Sequence, residues 1–164
     1  MTVIAVMGVS GSGKTTVGTA LAEELGVDYA EADSFHPQAN IDKMTSGVPL
    51  TDEDRAPWLA AIAAWIRDHQ KTGGVVTSSA LKRRYRDVLR TGGEVWFLHL
   101  DGDRATLAER MKTRSGHFMP VSLLDSQLAD LEPLEPDEPG RVFDIHESPA
   151  EIVEAGLAAF KERA

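Results

Sequence analysis

The stretch Gly8-Val9-Ser10-Gly11-Ser12-Gly13-Lys14-Thr15, continued by Thr16, has the residue types and spacing of a phosphate-binding loop, GxxxxGKT. Glycines let the backbone curl until successive N–H groups face one concavity, and the start of a helix adds positive potential there. Lys14 is placed to reach the β- and γ-phosphates of a nucleoside triphosphate, and the Thr15 hydroxyl to ligate Mg²⁺. A glycine-rich turn before a helix would need neither residue. The pattern predicts nucleoside triphosphate binding and leaves open what receives the phosphate.

Other chemically capable residues lie further along. Asp33, in Glu31-Ala32-Asp33-Ser34-Phe35-His36-Pro37, reads either as a carboxylate that orients or deprotonates a substrate hydroxyl or as a turn cap. His36 stands alone; no histidine or cysteine at metal-ligand spacing accompanies it, so zinc is rejected. Lys82, Arg86 and Arg90 recur at i, i+4, i+8. On one helix they share a face, which in an acidic chain favours an anion site over a solvated basic face. Arg83 and Asp87 read as a surface ion pair. Arg110 and Arg114 repeat the four-residue spacing, and a guanidinium there can stack on a base, fork onto phosphate or face water. Arg55 opens a helix whose apolar stripe is Trp58, Ile62, Trp65 and Ile66, and faces either water or substrate. Val95 to Asp101 resembles a metal-binding strand ending in aspartate. It comes after the strand expected beside the phosphate loop, so Asp101 is not assigned to magnesium.

These residues need a frame. Four apolar β-type runs, 3–7, 74–78, 95–100 and 141–145, and a weaker one at 27–31, alternate with helical segments at 14–25, 55–70, 81–90, 103–113, 120–131 and 149–162. Such alternation predicts an α/β fold, a parallel sheet with helices on both faces. Ser148-Pro149 reads as an N-cap followed by a first-turn proline. Residues 32–54 fit neither period and are expected to be an irregular insertion beside the carboxyl ends of the strands, where open α/β sheets bind ligands. Ser115 to Pro120 reads as a lid.

Composition narrows the partners. The 164 residues suit one domain with a real core. With no cysteine there is no disulfide. A net charge of −9 argues against nucleic acid, and no apolar run is long enough for a membrane span, so a cytoplasmic protein is expected.

Beyond the phosphate loop, the chain carries Asp33-Ser34-Phe35-His36-Pro37 with Asn40, Lys43 and Met44, then Pro49-Leu50-Thr51-Asp52-Glu53-Asp54-Arg55 with Pro57-Trp58-Leu59. It continues with Ser78-Ser79-Ala80-Leu81-Lys82, Tyr85-Arg86-Asp87 and Arg114-Ser115-Gly116-His117-Phe118. On these stretches it resembles the gluconokinase family of P-loop carbohydrate kinases. The resemblance implies ATP- and Mg²⁺-dependent phosphorylation of D-gluconate to 6-phosphogluconate, feeding the pentose phosphate pathway. It implies one three-layer P-loop kinase domain over 1–164 with a five-stranded parallel sheet, a substrate-binding insertion at 33–70, a lid region at 114–130, and a homodimer. It assigns Asp33 to the attacking hydroxyl. It makes His36, Arg55, Ser79, Lys82 and Arg86 substrate contacts. It places Arg110, Arg114 and Pro149 against the nucleotide, with Arg114 on the transferring group. The rivals are a kinase of another small hydroxy acid, such as shikimate, and a non-catalytic nucleotide sensor. Shikimate kinases usually carry a glycine triplet after the third strand, where this chain reads Ser79-Ala80-Leu81.

Overall fold

The computed structural model describes residues 1–113 and 122–163; Arg114 and the Ser115–Pro120 stretch lie outside them. Five parallel strands form one sheet: β1 (Val3–Met7), β2 (Asp28–Glu31), β3 (Gly74–Thr77), β4 (Val95–Asp101) and β5 (Gly140–Asp144). Their spatial order is β2-β3-β1-β4-β5. β1 is central and every one of its residues is buried, as its unbroken apolar run requires of a strand covered on both faces. The chain runs from β1 outward to β2, returns to β3, and then crosses to β4 and β5 on the other side. The crevice at the carboxyl ends of β1 and β3 is therefore where the direction of winding reverses, the place where such sheets receive ligands.

The helices are α1 (Lys14–Leu25), α2 (Gln38–Thr45), α3 (Asp52–Asp68), α4 (Arg83–Arg90), α5 (Arg104–Thr113), α6 (Ser122–Asp130) and α7 (Pro149–Glu162). α7 begins with a reciprocal cap: the Ser148 hydroxyl accepts from the Glu151 N–H, and the Glu151 carboxylate accepts from the Ser148 N–H. α3 begins the same way at Thr51 and Asp54, three residues earlier than the apolar stripe predicts. The stripe itself is core: Trp58, Ile62 and Ile66 are buried against the sheet.

Two sequence expectations are corrected. Residues 32–54 are not irregular throughout; a 3-10 turn at Ala32–Phe35 leads into α2. The basic run does not present one cationic face either. Lys82 precedes α4 as its N-cap, and Arg90 is exposed. Arg86 is wholly buried. Its Nε donates to Glu138 at 2.8 Å, and its other nitrogens donate to the carbonyls of Ala80 and Pro133. Helical spacing cannot reveal a partner 52 residues away. Arg83 and Asp87 do pair, at 2.9 Å, and Arg83 also reaches Asp137. The two arginines thus tie α4 to the segment leading into β5.

The Arg86–Glu138 pair gives a direct stability prediction. Arg86→Ala removes one of the two cations on a buried carboxylate and leaves Glu138 with Arg83 alone, at 3.0 Å, so a loss of about 3 kcal/mol, the low end for a broken buried pair, is expected. A urea unfolding midpoint unchanged from the parent would contradict this.

Candidate active site

The phosphate loop is held by packing that demands glycine. Gly11 has φ +84°, and a Cβ there would lie 2.8 Å from the carbonyl oxygen of Leu107 in α5. Gly13, at φ +95°, is the residue that turns the chain into α1. With Gly8, Ser10 and Ser12 these glycines wrap the N-terminus of α1. Lys14 donates to the carbonyls of Gly8 and Val9, at 3.0 and 3.1 Å. The Thr15 hydroxyl donates to the carboxylate of Glu31, which also accepts from Tyr29 at 3.1 Å. Burial, with Glu31 adding to it, pushes the Tyr29 phenol up to about 12. A hydroxyl and a carboxylate in contact beside the loop are hard oxygen donors, a set that fits a magnesium ion. Glu31 was not singled out by spacing; the signal was its place at the end of β2, on the same edge as Thr15.

Beside the loop opens a pocket lined by Lys14, Thr15, Glu31, Asp33, His36, Arg55 and Ser79, with Met44, Leu50 and Trp58 as its apolar wall. The sequence therefore predicted several residues that the fold gathers into one cleft. Asp33 sits in the 3-10 turn, whose position is set by two bonds: Trp58 Nε1 donates to the Ala32 carbonyl at 2.6 Å, and the Ser34 hydroxyl to the Glu31 carbonyl. α3 thus anchors the turn that carries the carboxylate.

Arg55 is buried, and its Nη1 donates to the Leu50 carbonyl at 2.9 Å and to the Tyr85 hydroxyl at 3.0 Å. Its Nε and Nη2 make no hydrogen bond among the described residues, which leaves one guanidinium edge for an anion. Around the Tyr85 ring stand three cations, Arg55, Lys82 and Arg84, at 5.2, 5.8 and 5.6 Å from its centroid. Asp52 accepts from both Tyr85 and Arg84, and the Tyr85 bond holds its carboxyl below the usual range. Lys82, near the same Tyr85 ring, is not part of the pocket wall, and Arg86 is absent from it.

α2 is pinned to α3 by polar contacts. The Lys43 ammonium lies 2.8 Å from Asp54 and the Asn40 amide donates to the Asp54 carbonyl at 2.7 Å. The Lys43 bond holds the Asp54 carboxyl down at about 2. His36 stacks on Trp58 with ring centroids 4.2 Å apart, and burial, reinforced by Arg55 against the opposing pull of Asp33, holds its pKa down at about 4. His99, beneath the loop in β4, is likewise buried and lowered by burial. A histidine depressed in the fold but ordinary at 6.5 when unfolded takes up protons on unfolding. Its contribution to stability is full above pH 6.5 and is lost as pH falls toward 4. Between pH 7 and pH 4.5 we expect a loss on the order of 2 kcal/mol from His36 after allowing for solvent screening. The check is the urea midpoint across that window, which should fall less in His36→Gln.

The nucleotide-side residues gather elsewhere. Arg110 donates to the Ile145 carbonyl at 2.8 Å and lies over Gly13. Thr16 and Pro149 line one groove between α1 and α7. Asp101 ends β4, a second neighbour of β1, and does not line the pocket. Gln127 of α6 was missed by spacing. Its Oε1 accepts from the Ser10 N–H at 2.7 Å and its Nε2 donates to the Ser10 hydroxyl at 3.1 Å, so both amide atoms grip the phosphate loop.

A strand–loop–helix phosphate site opening onto a cleft with a carboxylate on one wall and a part-free guanidinium on another is that of a P-loop kinase for a small molecule. A family model described as shikimate kinase matches residues 10–134. Within that fold the chain belongs to the gluconokinase family. It is 54% identical over 139 residues to gluconokinase of Gluconobacter oxydans, covering 83% of this chain and 78% of that one. It is 47% identical over 152 residues to thermosensitive gluconokinase of Escherichia coli, covering 90% and 81%. The crystal structure of a gluconokinase from Sinorhizobium meliloti superposes with a TM-score of 0.89 at 48% identity, covering 98% of this chain and 91% of that one.

Proposed function

We propose that this enzyme transfers the γ-phosphoryl group of ATP to the 6-hydroxyl of D-gluconate. One observation carries the reading: Asp33 and Arg55, whose Nε and Nη2 make no hydrogen bond among the described residues, line the same cleft as Lys14 and Thr15. A hydroxy acid needs such an arrangement, with a base or orienter for its alcohol and a cation for its carboxylate. Lys14 leaves the Gly8 and Val9 carbonyls for the phosphates. Thr15, with Glu31 close by, would hold Mg²⁺, which when bound would offset charge on the phosphate oxygens. Asp33 aligns the primary alcohol for in-line attack and takes its proton. Arg55, with Lys82 near the same Tyr85 ring, holds the carboxylate end; Ser79 and His36 contact the polyol.

Residues 33–70 serve as the substrate-binding insertion and 114–130 as the lid. Lid closure would bring Arg114 to the transferring group and exclude water. Arg110 and Pro149 border the base. The cytoplasmic setting, the homodimer and the supply of 6-phosphogluconate to the pentose phosphate pathway rest on kinship with the family. Light scattering checks the dimer.

ADP release with Mg·ATP against D-gluconate, related aldonic acids and shikimate tests the reading. Turnover of gluconate well above the others is expected. Turnover of shikimate alone would replace the substrate. ATP binding with no turnover across the panel would replace the kinase reading by a sensor.

A further inference from the structure

Asn40 is 3% exposed and lies one helical turn beyond His36. Its amide nitrogen is 2.7 Å from the Asp54 carbonyl oxygen and 3.2 Å from Nδ1 of His36. A carbonyl oxygen can only accept, so the atom facing Asp54 is the NH₂ group, and the amide cannot be reversed. The second hydrogen of that group is directed to Nδ1, which must receive it with its lone pair. A neutral imidazole with an accepting Nδ1 carries its proton on Nε2. Nε2 has no hydrogen-bond partner among the described residues, and His36 lines the cleft together with Asp33.

We propose that Asn40 is a positioning residue that locks His36 as the Nε2–H tautomer, so that His36 and Asp33 offer one donor and one acceptor to a single substrate hydroxyl. The identity of that hydroxyl as part of a sugar acid rests on the function proposed above; the tautomer does not.

The chemistry matches a neutral group that both accepts and donates, as an alcohol does. A hydroxyl accepts through its oxygen and donates through its hydrogen, so a neutral N–H beside a carboxylate satisfies both halves. A substrate carboxylate in the same place would meet Asp33 as a like charge, and an ammonium would meet the N–H as a second donor. The ring is held for this use from two sides, its face and its Nδ1 edge. Trp58 stacks on one face at an interplanar angle of 11°. The indole is itself fixed by its bond to the Ala32 carbonyl. Asn40 is fixed by Asp54, whose side chain Lys43 holds. Burial keeps the imidazole uncharged at neutral pH. Two other charged groups act on the ring: Asp33, from the turn before it, favours the imidazolium, and Arg55, from α3, opposes it. The spaced residues His36, Asn40 and Lys43 are thus one device: the lysine fixes the helix start, the asparagine reads it, and the histidine delivers a directed proton into the cleft.

The test begins with the ligand-free protein. Two-bond ¹⁵N–¹H correlation spectra at pH 7 distinguish the two neutral tautomers and the imidazolium, and His36→Gln assigns the signal. The Nε2–H pattern is expected. An Nδ1–H pattern or an imidazolium at pH 7 overturns the proposal. Kinetics supply the second arm. Glutamine extends an amide N–H to about the position of Nε2, and asparagine to about that of Nδ1. His36→Asn should raise KM for gluconate at least about tenfold more than His36→Gln, with KM for ATP moved little in either. Equal impairment in both variants would reduce His36 to packing and overturn the hydroxyl role.

Asn40→Asp removes the donor and supplies an acceptor, so His36 should move to the Nδ1–H or cationic form and KM for gluconate should rise. Retention of the Nε2–H pattern in a folded Asn40→Asp protein overturns the lock. If that variant does not fold, the parent spectrum and the two His36 variants still decide. A parent protein that shows Nε2–H but does not phosphorylate gluconate sinks the substrate reading and leaves the lock standing, so the two failures are told apart.

Discussion

Lys14→Ala is expected to lower kcat by about 10³-fold or more while the protein stays folded. In the function proposed here Lys14 reaches from the phosphate loop toward the transferring group, and a fixed cation there acts on charge that grows in the transition state. Among its bonds are two hydrogen bonds to the Gly8 and Val9 carbonyls, made at a partly exposed position. Losing them costs about 1 kcal/mol, because water can replace the donor. The loop is held by other means, through the Leu107 carbonyl against Gly11 and Gln127 on Ser10. Circular dichroism and the urea midpoint should therefore stay close to the parent while single-turnover phosphoryl transfer collapses. A folded Lys14→Ala protein with kcat within tenfold of the parent would remove Lys14 from the chemistry.

Asp33→Asn is expected to lower kcat by about 10²–10⁴-fold, with KM for ATP little changed. The amide keeps the shape of the carboxylate and loses its ability to take the alcohol proton. Asp33 is exposed in a turn that stands through the Trp58–Ala32 and Ser34–Glu31 bonds, neither of which uses its side chain. The change is therefore local. Pre-steady-state ADP formation distinguishes the outcomes: a burst of normal rate followed by slow turnover would place the defect in release and take Asp33 out of the proton-transfer role.

What could be read from the sequence was what local pattern encodes. β1, the phosphate loop and α1 follow from an apolar run, three glycines and a helical stripe, and α7 from its Ser148 cap. Helix α2 escaped because its buried side is partly polar. Asn40 and Lys43 hold it through Asp54, and hydrophobic periodicity is blind to such anchors. The start of α3 escaped because Thr51 and Asp54 lie among acids that read as loop. Arg86 was misjudged for a different reason. Its four-residue spacing from Lys82 was real, but the turn at Ser78–Lys82, with Ala80 at φ +45°, ends before α4 starts and the rotation about the helix is lost. Gln127 grips a loop 117 residues away, which no spacing could announce.

The stacked pair of His36 and Trp58 gives this molecule an optical gauge. The chain has three tryptophans, and their surroundings differ. Trp58 forms part of the cleft wall against an imidazole, Trp65 stacks on His69 at 3.8 Å, and Trp96 meets the edge of Phe160. Indole emission responds to what lies against the ring, so a ligand filling the His36 side of the cleft, where the proposed function puts the sugar acid, is expected to change the light from Trp58 alone. With Trp65 and Trp96 replaced by phenylalanine, the remaining fluorophore reports occupancy of that side with no dye, no coupled enzyme and no turnover.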